Sequence, residues 1–419
     1  MNDIDNLKPK IRFKEFKEVW EKKKLDDILQ ERNEQYPKDK NYPLMAFVAN
    51  YGIVDKGEKY NREALVNDSE AKKYKRTEIG DFIYSSNNLE TGSIGLNTYG
   101  NACISPVYSI FKPIDELDSD FIGRRLIRKE FINKMIKWRQ GVIYGQWKIH
   151  ESDFLKLDIC VPNYNEQQQI GKFLKEVDDL ISLNQCKYKK LVNIKSSLLG
   201  KMFPTQKSTE PSIRFNYFND EWEKCKFDDL CSIVTKQTGF DYTSTIKNAL
   251  VTSANKNTLP YLQTKNFSGI NINYNTDYYI PRNIAKDFPK INLDEKCLLF
   301  SIVGASVGNI GFFPGEKHCF LSGAICVAKF INKDNAGFLY HYMSSNNGQS
   351  QIQLCTKGGA QATVTIEDIR NFSVDLPSID ERMKIDKFLS SLDKLINLQE
   401  RKINKLNNIK KSLFDNLFV

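Results

Sequence analysis

The side chains in this sequence that could perform catalysis or hold a metal are few and scattered. The chain has nine cysteines and three histidines, which are His150, His318 and His341. The cysteines include no CxxC pair and no zinc-finger spacing, so we expect no structural metal. An odd number of unpaired cysteines is typical of a cytoplasmic protein.

Two glycine-containing runs also fail to match nucleotide sites. The run GASVGNIG at 304–311 has the wrong glycine spacing for a dinucleotide fingerprint, and Gly200-Lys201 has no glycine five residues before Gly200. These glycines are expected to lie in turns. Because nucleophile, base and metal constellations are also missing, the sequence predicts a protein that binds, without a cofactor, and is not an enzyme.

The composition is that of a large globular chain. At 419 residues it suits two to four domains, and a hydrophobic fraction of 41% excludes a disordered protein. No apolar run approaches the roughly 18 residues of a membrane span, and the polar start lacks the apolar region of a signal peptide. We expect a cytoplasmic protein without membrane contact. The net charge of +9 is compatible with a polyanionic partner.

A long helical signal occurs twice and organises the chain. Residues 166–203 and 381–418 match at a constant offset of 215 residues, which indicates an internal duplication. Apolar residues at heptad positions make each copy an amphipathic helix that needs a partner helix. These positions are Ile170, Phe173, Val177, Leu180, Leu191 and Leu198 in the first copy, and Ile385, Phe388, Leu392, Leu395, Leu406 and Leu413 in the second.

One polar residue interrupts the apolar seam at the same place in each copy. These residues, Asn184 and Gln399, lie at the midpoints of the two helices. If the helices pack antiparallel, the two side chains meet and set the register, because a slip would bury them unpaired. The alternative is that both are solvated gaps in an imperfect seam.

The segments before the helices are also duplicated. Residues 9–28 recur at 211–230 with the same aromatic pattern, and we expect these aromatic segments to dock each globular domain onto the helices. Short strands with turn glycines follow, at 43–51, 82–85, 94–96 and 107–111 in the first half. Single helices are predicted over Asp120–Arg139, with Trp138 inward, and over residues 336–354.

The two globular parts align through a strand pair. Residues 84–96 match 300–312 without gaps at an offset of 216, whereas the aromatic segments match at 202. The extra residues of the second domain must therefore precede this strand pair, around residues 235–283.

The order of domain, helix, domain, helix resembles the DNA-specificity subunit of type I restriction-modification systems. The stretches that carry the resemblance are PKIRFKEF (9–16), GDFIYSSNNLETGSIGL (80–96), NACISPVYSIF (101–111), LLFSIVGASVGNIGF (298–312) and VPNYNEQQQIGKFLKEVDDLI (161–181). The sequence departs from a common family pattern at 321–325, where LSGAI replaces a run containing Asn-Gln-Ala.

The resemblance implies an α+β fold with two mixed α/β target-recognition domains, separated by two long antiparallel α-helices that form a coiled-coil spacer with an internal pseudo-twofold repeat. The implied boundaries are 1–162 and 206–377 for the recognition domains, and 163–205 and 378–419 for the helices. Each domain is expected to read one half of a split target in double-stranded DNA. The helices set the gap and dock two methyltransferase subunits, through which restriction subunits join.

Helix length agrees with that arrangement. A 38-residue helix is about 57 Å long. Two recognition domains that bind one face of B-DNA need centres roughly 34 Å apart. Domains leaning inward from such a rod can meet this spacing.

Base-reading side chains are expected among polar loop residues that differ between the domains, because shared residues hold the common scaffold. The alternative is that each is an ordinary turn residue. The candidates are Asn87, Asn88, Thr91, Tyr144, Gln146, Trp147 and Lys148 in the first domain, and Gly304, Ser306, Gln361 and Thr363 in the second.

Phosphate contacts are expected from basic residues near these loops. They are Lys72, Lys73, Lys75 and Arg76 in the first domain, and Lys256, Lys265 and Lys357 in the second. Basic residues of the predicted helix at 120–139 are expected to cover a solvent face, and the alternative is that they bind phosphate.

Partner docking is expected on a second apolar stripe beside the helix seam, because a broad stripe suits a bundle of more than two helices. Its residues are Leu174, Ile181 and Tyr188 in one copy, and Leu389, Ile396 and Ile403 in the other.

Two other functions remain open from the sequence. One is a self-sufficient methyltransferase or nuclease, although no Asn-Pro-Pro-Tyr or Asp-Pro-Pro-Tyr run is present to grip a flipped adenine. The other is a coiled-coil adaptor that binds protein alone.

Overall fold

The structure of the protein, a computed structural model, describes residues 7–55, 72–114, 117–142, 146–205, 208–357 and 362–419. It has two compact units, Met1–Asn184 with Lys402–Val419, and Gln185–Arg401. Each unit combines one globular domain with parts of both long helices.

The first unit contains a small β-core and the start of the first long helix. Its strands are β1 (Glu21–Lys24), β2 (Leu29–Glu31), β3 (Gln35–Tyr36), β4 (Ala46–Val48), β5 (Gly52–Val54), β6 (Tyr74–Thr77), β7 (Phe82–Tyr84), β8 (Ile94–Leu96), β9 (Ala102–Ile104), β10 (Ser109–Pro113), β11 (Gln140–Val142), β12 (Gln146–Lys148) and β13 (Asp158–Val161). Its helices are α1 (Ser119–Leu126), α2 (Lys129–Ile136), α3 (Glu151–Leu155) and the first part of α4 (Tyr164–Lys201).

The sheet order explains which strands are buried. Strands β2, β10, β7 and β8 form one antiparallel sheet in that order, and β3, β6 and β9 form another. The central strand β7 reads Phe-Ile-Tyr, and all three side chains are buried because helices and the second sheet cover its faces. The predicted strands around 82–85, 94–96 and 107–111 are confirmed.

The second unit repeats this plan with additions. Its strands are β14 (Glu223–Lys226), β15 (Cys231–Lys236), β16 (Thr258–Leu262), β17 (Phe267–Ser268), β18 (Asn271–Ile272), β19 (Tyr279–Pro281), β20 (Asn292–Leu293), β21 (Cys297–Ser301), β22 (Ile310–Phe313), β23 (Cys319–Leu321), β24 (Ile325–Phe330) and β25 (Ser373–Leu376). Its helices are α5 (Gly239–Asp241), α6 (Lys247–Ala249), α7 (Arg282–Ala285), α8 (Asn335–Ser344), α9 (Asn346–Cys355), α10 (Ile366–Arg370) and the first part of α11 (Ile379–Asn416).

The duplicated strand pair is present in both domains. Tyr84 pairs with Ile94 in β7–β8, and Phe300 pairs with Ile310 in β21–β22, in the same antiparallel register. The turn between the strands holds a glycine with positive φ in each case, +92° at Gly92 and +90° at Gly308. A conformation that side chains disfavour explains why these glycines match in the alignment. In the second domain the sheet order β15-β24-β21-β22 repeats β2-β10-β7-β8.

The helix predicted over Asp120–Arg139 is in fact two helices, so that prediction is wrong. Arg128 adopts an extended conformation between α1 and α2, and its guanidinium contacts the backbone oxygen of Phe414 at the end of α11. Trp138, predicted to face inward, is 40% exposed. The contact with α11 is non-local, so the local sequence pattern does not reveal the break.

The helix predicted over residues 336–354 is also divided in two. Ser345 is extended, and its hydroxyl accepts from Gly348 N as an N-cap. A Cβ on Gly348 would lie 2.4 Å from Met343 Cα, so glycine is required for this close turn. This N-cap bond starts a new helix, α9, at the point where α8 would otherwise continue.

Two arginines of α1 form ion pairs within the first unit. Arg124 donates to Asp178 on α4 at 2.7 Å, and Arg125, which is 5% exposed, pairs with Glu130 at 3.3 Å. The guanidinium groups of these two residues therefore connect α1 to α4 and to α2. The expectation that they cover a solvent face is wrong.

The two long helices of 38 residues confirm the repeated helical signal, and their contacts show that they run antiparallel. In the first unit, Lys410 near the end of α11 lies 2.6 Å from Asp178 in the first half of α4. In the second unit, Lys195 near the end of α4 pairs with Asp393 in the first half of α11. Asp178 and Asp393, like Lys195 and Lys410, are equivalent at the 215-residue offset. The two ion pairs are therefore equivalent members of the repeat, each within its own unit.

The aromatic segments dock onto the helices, as expected. Arg12 forms a two-pronged ion pair with Glu166 in the first unit, and Arg214 does the same with Glu381 in the second. Both carboxylates are completely buried in the first turn of a long helix. Aromatic ring pairs repeat the arrangement with 5.8 Å between centroids: Phe13 with Phe173, and Phe215 with Phe388.

Candidate nucleic-acid interface

The two loops singled out in the first domain lie side by side. The turn after β7 meets the hairpin β11–β12, where the backbone N–H of Trp147 donates to Asn87 Oδ1 at 2.6 Å. Ser86 Oγ accepts from Ile149 N at 3.0 Å, and Arg139 joins the turn through Ser86 O and the Glu90 carboxylate. These bonds hold the hairpin against the turn, so residues about 60 positions apart in sequence form one surface.

Several candidate side chains on this surface are accessible. Asn88, Thr91 and Lys148 are exposed, and the indole of Trp147 is 49% exposed. Thr91 Oγ1 donates to Asn88 O at 3.1 Å, which stabilises the turn. Tyr144 and the side chain of Gln146 lie outside the described residues.

The corresponding loops of the second domain also come together. Gly304 N donates to Ala362 O at 3.1 Å, and Val364 N donates to Ile302 O at the same distance. Thr363 and Lys357 are bridged through their backbones. The turn after β21 and the segment before α10 therefore form a second surface at the equivalent place.

The candidate residues of this second surface differ in character from those of the first. Gly304 has a φ of +88° with open space where a Cβ would lie, so its backbone is accessible. Ser306 Oγ lies 2.9 Å from Ser301 Oγ, and Lys357 is exposed, whereas Thr363 is half-buried. Gln361 lies outside the described residues.

The basic residues predicted to contact phosphates fall into two groups. Lys75 is only 6% exposed, its Nζ donates to Tyr108 O at 3.0 Å, and burial lowers its pKa. Arg76 pairs with Asp39 at 2.6 Å and stacks against two tyrosine rings. Both cations are thus engaged within the domain. Exposed lysines make up the second group: Lys72, Lys73, Lys256, Lys265 and Lys357, of which Lys265 pairs with Asp277.

The predicted docking stripe is wrong for three of its six residues. Leu174 and Leu389 are fully buried because this side of each helix packs on its own globular domain, and Ile181 is 7% exposed. The remaining members are half-buried: Tyr188, Ile396 and Ile403.

A different apolar stripe is exposed on the helices. Sequence reasoning placed Leu180 and Leu395 in the seam, but they are 41% and 52% exposed. Other equivalent pairs share this property at the 215-residue offset, namely Leu183 with Leu398 and Ile194 with Ile409. We call these six residues the exposed helix stripe. The offset was visible in the sequence and, combined with an apolar residue at both positions, could have indicated them.

Asn184, the predicted register residue, is 1% exposed, and its Nδ2 donates to Leu180 O at 2.6 Å. Gln399 is half-buried in the second unit. Pairing between their side chains stays a prediction.

A serine, a histidine and aspartates meet in the second unit without forming a nucleophilic triad. His341 Nε2 lies 3.2 Å from Ser390 Oγ, but that hydroxyl donates to Asp386 Oδ1 at 2.8 Å. A triad requires the serine proton to face the histidine. His341 is also completely buried, so the cluster joins α8 to α11 and has no access for a substrate.

The described thiols and carboxylates show no disulfide and no metal-binding cluster. All nine cysteines are free, and burial raises the pKa of Cys319 to about 12, which disfavours the reactive thiolate. Within the described ranges, no group of three or more His, Cys, Asp or Glu side chains could hold a metal ion. Among the helices described, none is long and apolar enough to span a membrane.

Two known proteins resemble most of this chain in sequence. A putative type I restriction enzyme MjaX specificity subunit from Methanocaldococcus jannaschii is 24% identical, and the match covers 98% of this chain and 95% of the relative. The type I restriction enzyme MjaVIII specificity subunit from the same organism is 21% identical over 69% of this chain and 66% of its own.

Solved structures share the fold. The S subunit of a type I restriction-modification system from M. genitalium superposes with a TM-score of 0.58 at 14% identity, covering 98% of this chain and 99% of that one. A second solved structure describes complex assembly and conformational transition of the type I R-M system. One of its chains superposes with a TM-score of 0.52 at 14% identity, covering 95% of this chain and 97% of that one.

The sequence also matches the type I restriction modification DNA specificity domain twice, over residues 17–193 and 219–408. Each match spans one globular domain and most of the long helix that follows it. These two matches cover most of the chain, which therefore belongs to the type I restriction-modification DNA specificity family.

Proposed function

We propose that this chain is the non-catalytic recognition subunit of a type I restriction-modification complex, and that each globular domain reads one half of a bipartite DNA target. The observation that carries the proposal is the convergence of two candidate loops in both domains, through Asn87 with Trp147 and through Gly304 with Ala362. The scaffold is common to both domains, whereas the exposed residues differ. The two half-sites should therefore differ in sequence.

The side chains of the first surface suit the reading of base edges. An asparagine amide can donate to N7 and accept from N6 of adenine, which makes Asn88 the clearest candidate. Asn87 uses Oδ1 to hold the hairpin, so it positions Trp147 and Lys148. On the second surface, Gly304 allows a close backbone approach and Ser306 contributes a hydroxyl. Gln146, Gln361 and Tyr144 remain part of the proposal.

The exposed lysines supply attraction to the DNA backbone. Lys72, Lys73 and Lys148 in the first domain, and Lys256 and Lys357 in the second, are accessible to phosphates. Such contacts position the protein but carry no sequence information.

The long helices are proposed to set the unread gap and to dock the catalytic partners. The exposed helix stripe presents equivalent apolar residues on both copies, so two copies of one methyltransferase subunit can bind in equivalent ways. Half-buried Tyr188, Ile396 and Ile403 would border this surface. Restriction subunits would join through the methyltransferase.

The decisive experiment maps methylated adenines in DNA from a host that expresses this chain with its methyltransferase. The expected result is two short, different sequences separated by a constant gap. Exchange of residues 206–377 for those of a relative should change one half-site and leave the other.

Three results would contradict the proposal. A continuous target would exclude two separate readers. Methylation or cleavage by the isolated chain would indicate a self-sufficient enzyme. A complex without salt-sensitive DNA binding would indicate an adaptor for protein partners.

A further inference from the structure

The hairpin β4–β5 of the first domain carries an exposed tyrosine at its tip. Its strands are anchored in the domain, because Phe47 and Ile53, which pair across the hairpin, are each 7% exposed and belong to a buried apolar cluster. Tyr51 lies in the turn between the strands and is 79% exposed. Burial therefore explains the position of the strands but not the aromatic ring at the tip.

The tip is fixed to the candidate reading turn that follows β7. Asn50 N donates to Gly92 O at 3.0 Å, and Asn50 Nδ2 donates to Thr91 O at 3.3 Å. The amide of Asn50 also packs so closely on Gly92 that no room is left there for a Cβ. Thr91 is in turn bonded to Asn88, the clearest candidate for base reading. Tyr51 is therefore held next to the turn that carries Asn88.

The backbone of Asn50 has a conformation that side chains disfavour. Its φ is +64°, and within the described ranges the only other residue besides glycine with a positive φ is Tyr217. Asparagine tolerates this left-handed region, and strain of this kind is concentrated at functional sites. A glycine would fit the backbone at position 50 without strain, so the asparagine is explained by its side-chain contacts with the reading turn.

The hairpin of the second domain has the same backbone and a different tip. Hairpin β17–β18 lies against β22 through a bridge between Gly269 and Gly311, and Gly269 has a φ of +58°. The residue that follows it, Ile270, packs against the apolar core, whereas Tyr51 follows Asn50 and is exposed. A shared scaffold with different exposed residues is also the pattern of the two reading surfaces.

Charge near the tip limits where a phosphate can bind. Tyr51 and Thr91 border a groove of about 590 Å³, which the carboxylates of Glu90, Asp120 and Asp178 also line. Ion pairs with arginines, at 2.8 Å for Glu90 and 2.7 Å for Asp178, offset two of these charges. The groove itself still disfavours an anion. The exposed phenol of Tyr51 is the group at this place that suits one.

A phenol fits the DNA backbone better than a base edge. Its one hydroxyl cannot make the two hydrogen bonds by which asparagine identifies adenine, whereas tyrosine hydroxyls are donors to phosphate oxygens. We propose that the Tyr51 hydroxyl donates to a phosphate of the first half-site, and that Asn50 positions Tyr51 for this contact. Because Asn50 also holds the reading turn, the contact fixes that turn in register on the duplex. This inference rests on the proposed DNA-recognition function.

The test uses the assembled complex of full-length chain and methyltransferase, with filter binding to duplexes that carry the mapped target. Tyr51→Phe removes one hydroxyl from an exposed side chain. Tyr217→Phe, 95% exposed and also at a positive φ, is the matched control. Tyr51→Phe should lower the affinity about 10-fold, as expected for a lost hydrogen bond to a charged group. The control should bind as wild type does.

Two further readouts identify the contact as one to phosphate. The sequence selected from a randomised duplex library should be that of wild type, because a phosphate contact carries no sequence information. The slope of log affinity against log salt should also be unchanged, because a hydroxyl adds no cation and releases no counterion.

Asn50→Gly tests the positioning role, since glycine adopts a positive φ and lacks the amide. It should reproduce most of the loss in affinity. The double variant with Tyr51→Phe should lose no more than Tyr51→Phe alone. Losses that add would show that Asn50 acts independently of Tyr51, and the positioning role would be wrong.

Other outcomes separate this inference from its competitors. Wild-type affinity in Tyr51→Phe would exclude the phosphate contact. A relaxed base preference at one position would make Tyr51 a base reader. Weaker binding of the methyltransferase by Tyr51→Phe, measured by calorimetry without DNA, would assign the tip to a protein partner. A wild-type complex that binds all sequences equally would instead defeat the proposed function.

Discussion

The guanidinium of Arg12 donates to both carboxylate oxygens of Glu166, at 2.7 and 2.6 Å, and ties the first aromatic segment to the first turn of α4. Glu166 is completely buried, and its hydrogen bonds raise the pKa of Arg12. Arg214 and Glu381 repeat this relationship in the second unit. The duplication has therefore kept a buried ion pair at each junction between a domain and its helix.

Arg12→Met should destabilise the first unit by about 3–5 kcal/mol, because it leaves a buried carboxylate without a cation. Urea denaturation provides the measurement. Lys14→Met, an exposed change in the same segment, is the control. Equal unfolding midpoints for the two variants would mean that the ion pair contributes nothing. The double variant with Glu166→Met should recover much of the loss.

Leu395→Ser together with Leu398→Ser should weaken binding of the methyltransferase at least 10-fold with little change in stability. Each exposed leucine contributes about 1.5–3 kcal/mol when a partner buries it. Calorimetric titration measures the affinity, and Leu354→Ser, 78% exposed on α9, is the matched control. Undiminished affinity in the double variant would remove the exposed helix stripe as the docking surface.

Lys72→Gln and Lys73→Gln should lower DNA affinity equally for all sequences. Each loss of a phosphate contact should reduce the slope of log affinity against log salt by about one. Filter binding across a salt series measures this slope. Lys75→Met is the contrasting variant. The buried ammonium of Lys75 donates to Tyr108 O, so its removal should leave the salt slope unchanged. A wild-type slope in both Lys72 and Lys73 variants would contradict the phosphate assignment.

Acid should weaken the first domain partly through Glu78. A hydrogen bond from Tyr42 at 2.6 Å, aided by Arg32, holds the pKa of Glu78 below its ordinary value of 4.5. Between the folded and unfolded pKa values of Glu78, the unfolded state binds more protons than the folded state. The ionised carboxylate therefore stabilises the fold above about pH 4.5 and loses this effect as the pH falls through the folded pKa.

Glu78→Gln should accordingly lower the melting temperature near neutral pH, with a difference from wild type that shrinks below about pH 4.5. Thermal unfolding across a pH series measures this. Tyr42→Phe should produce a similar trend, because it removes the hydrogen bond from the same carboxylate. A constant difference at all pH values would show that another group governs the acid response.

Much of the fold was predictable because the sequence contains two copies of its main elements. The long helices, the aromatic segments and the strand pair with Gly92 and Gly308 each appeared as two matching copies. The breaks at Arg128 and Ser345 were not predictable from periodicity. At Arg128 the deciding contact is with Phe414, far away in sequence, and at Ser345 a capping bond and a close turn outweigh the helical pattern.

The candidate interface was predictable in part. Comparison of the domains identified both loops in each domain, but proximity of Asn87 to Trp147 required the tertiary hydrogen bonds.

The sequence by itself determined that two amphipathic helices and two related domains alternate, since apolar periodicity and duplication are local properties. It did not determine which side of each helix faces inward, because two adjacent stripes are both apolar. Packing against the globular domains decided this: it buries Leu174 and Leu389 and leaves Leu180 and Leu395 at the surface. Only the shape of the completed domain can distinguish two stripes of equal hydrophobicity.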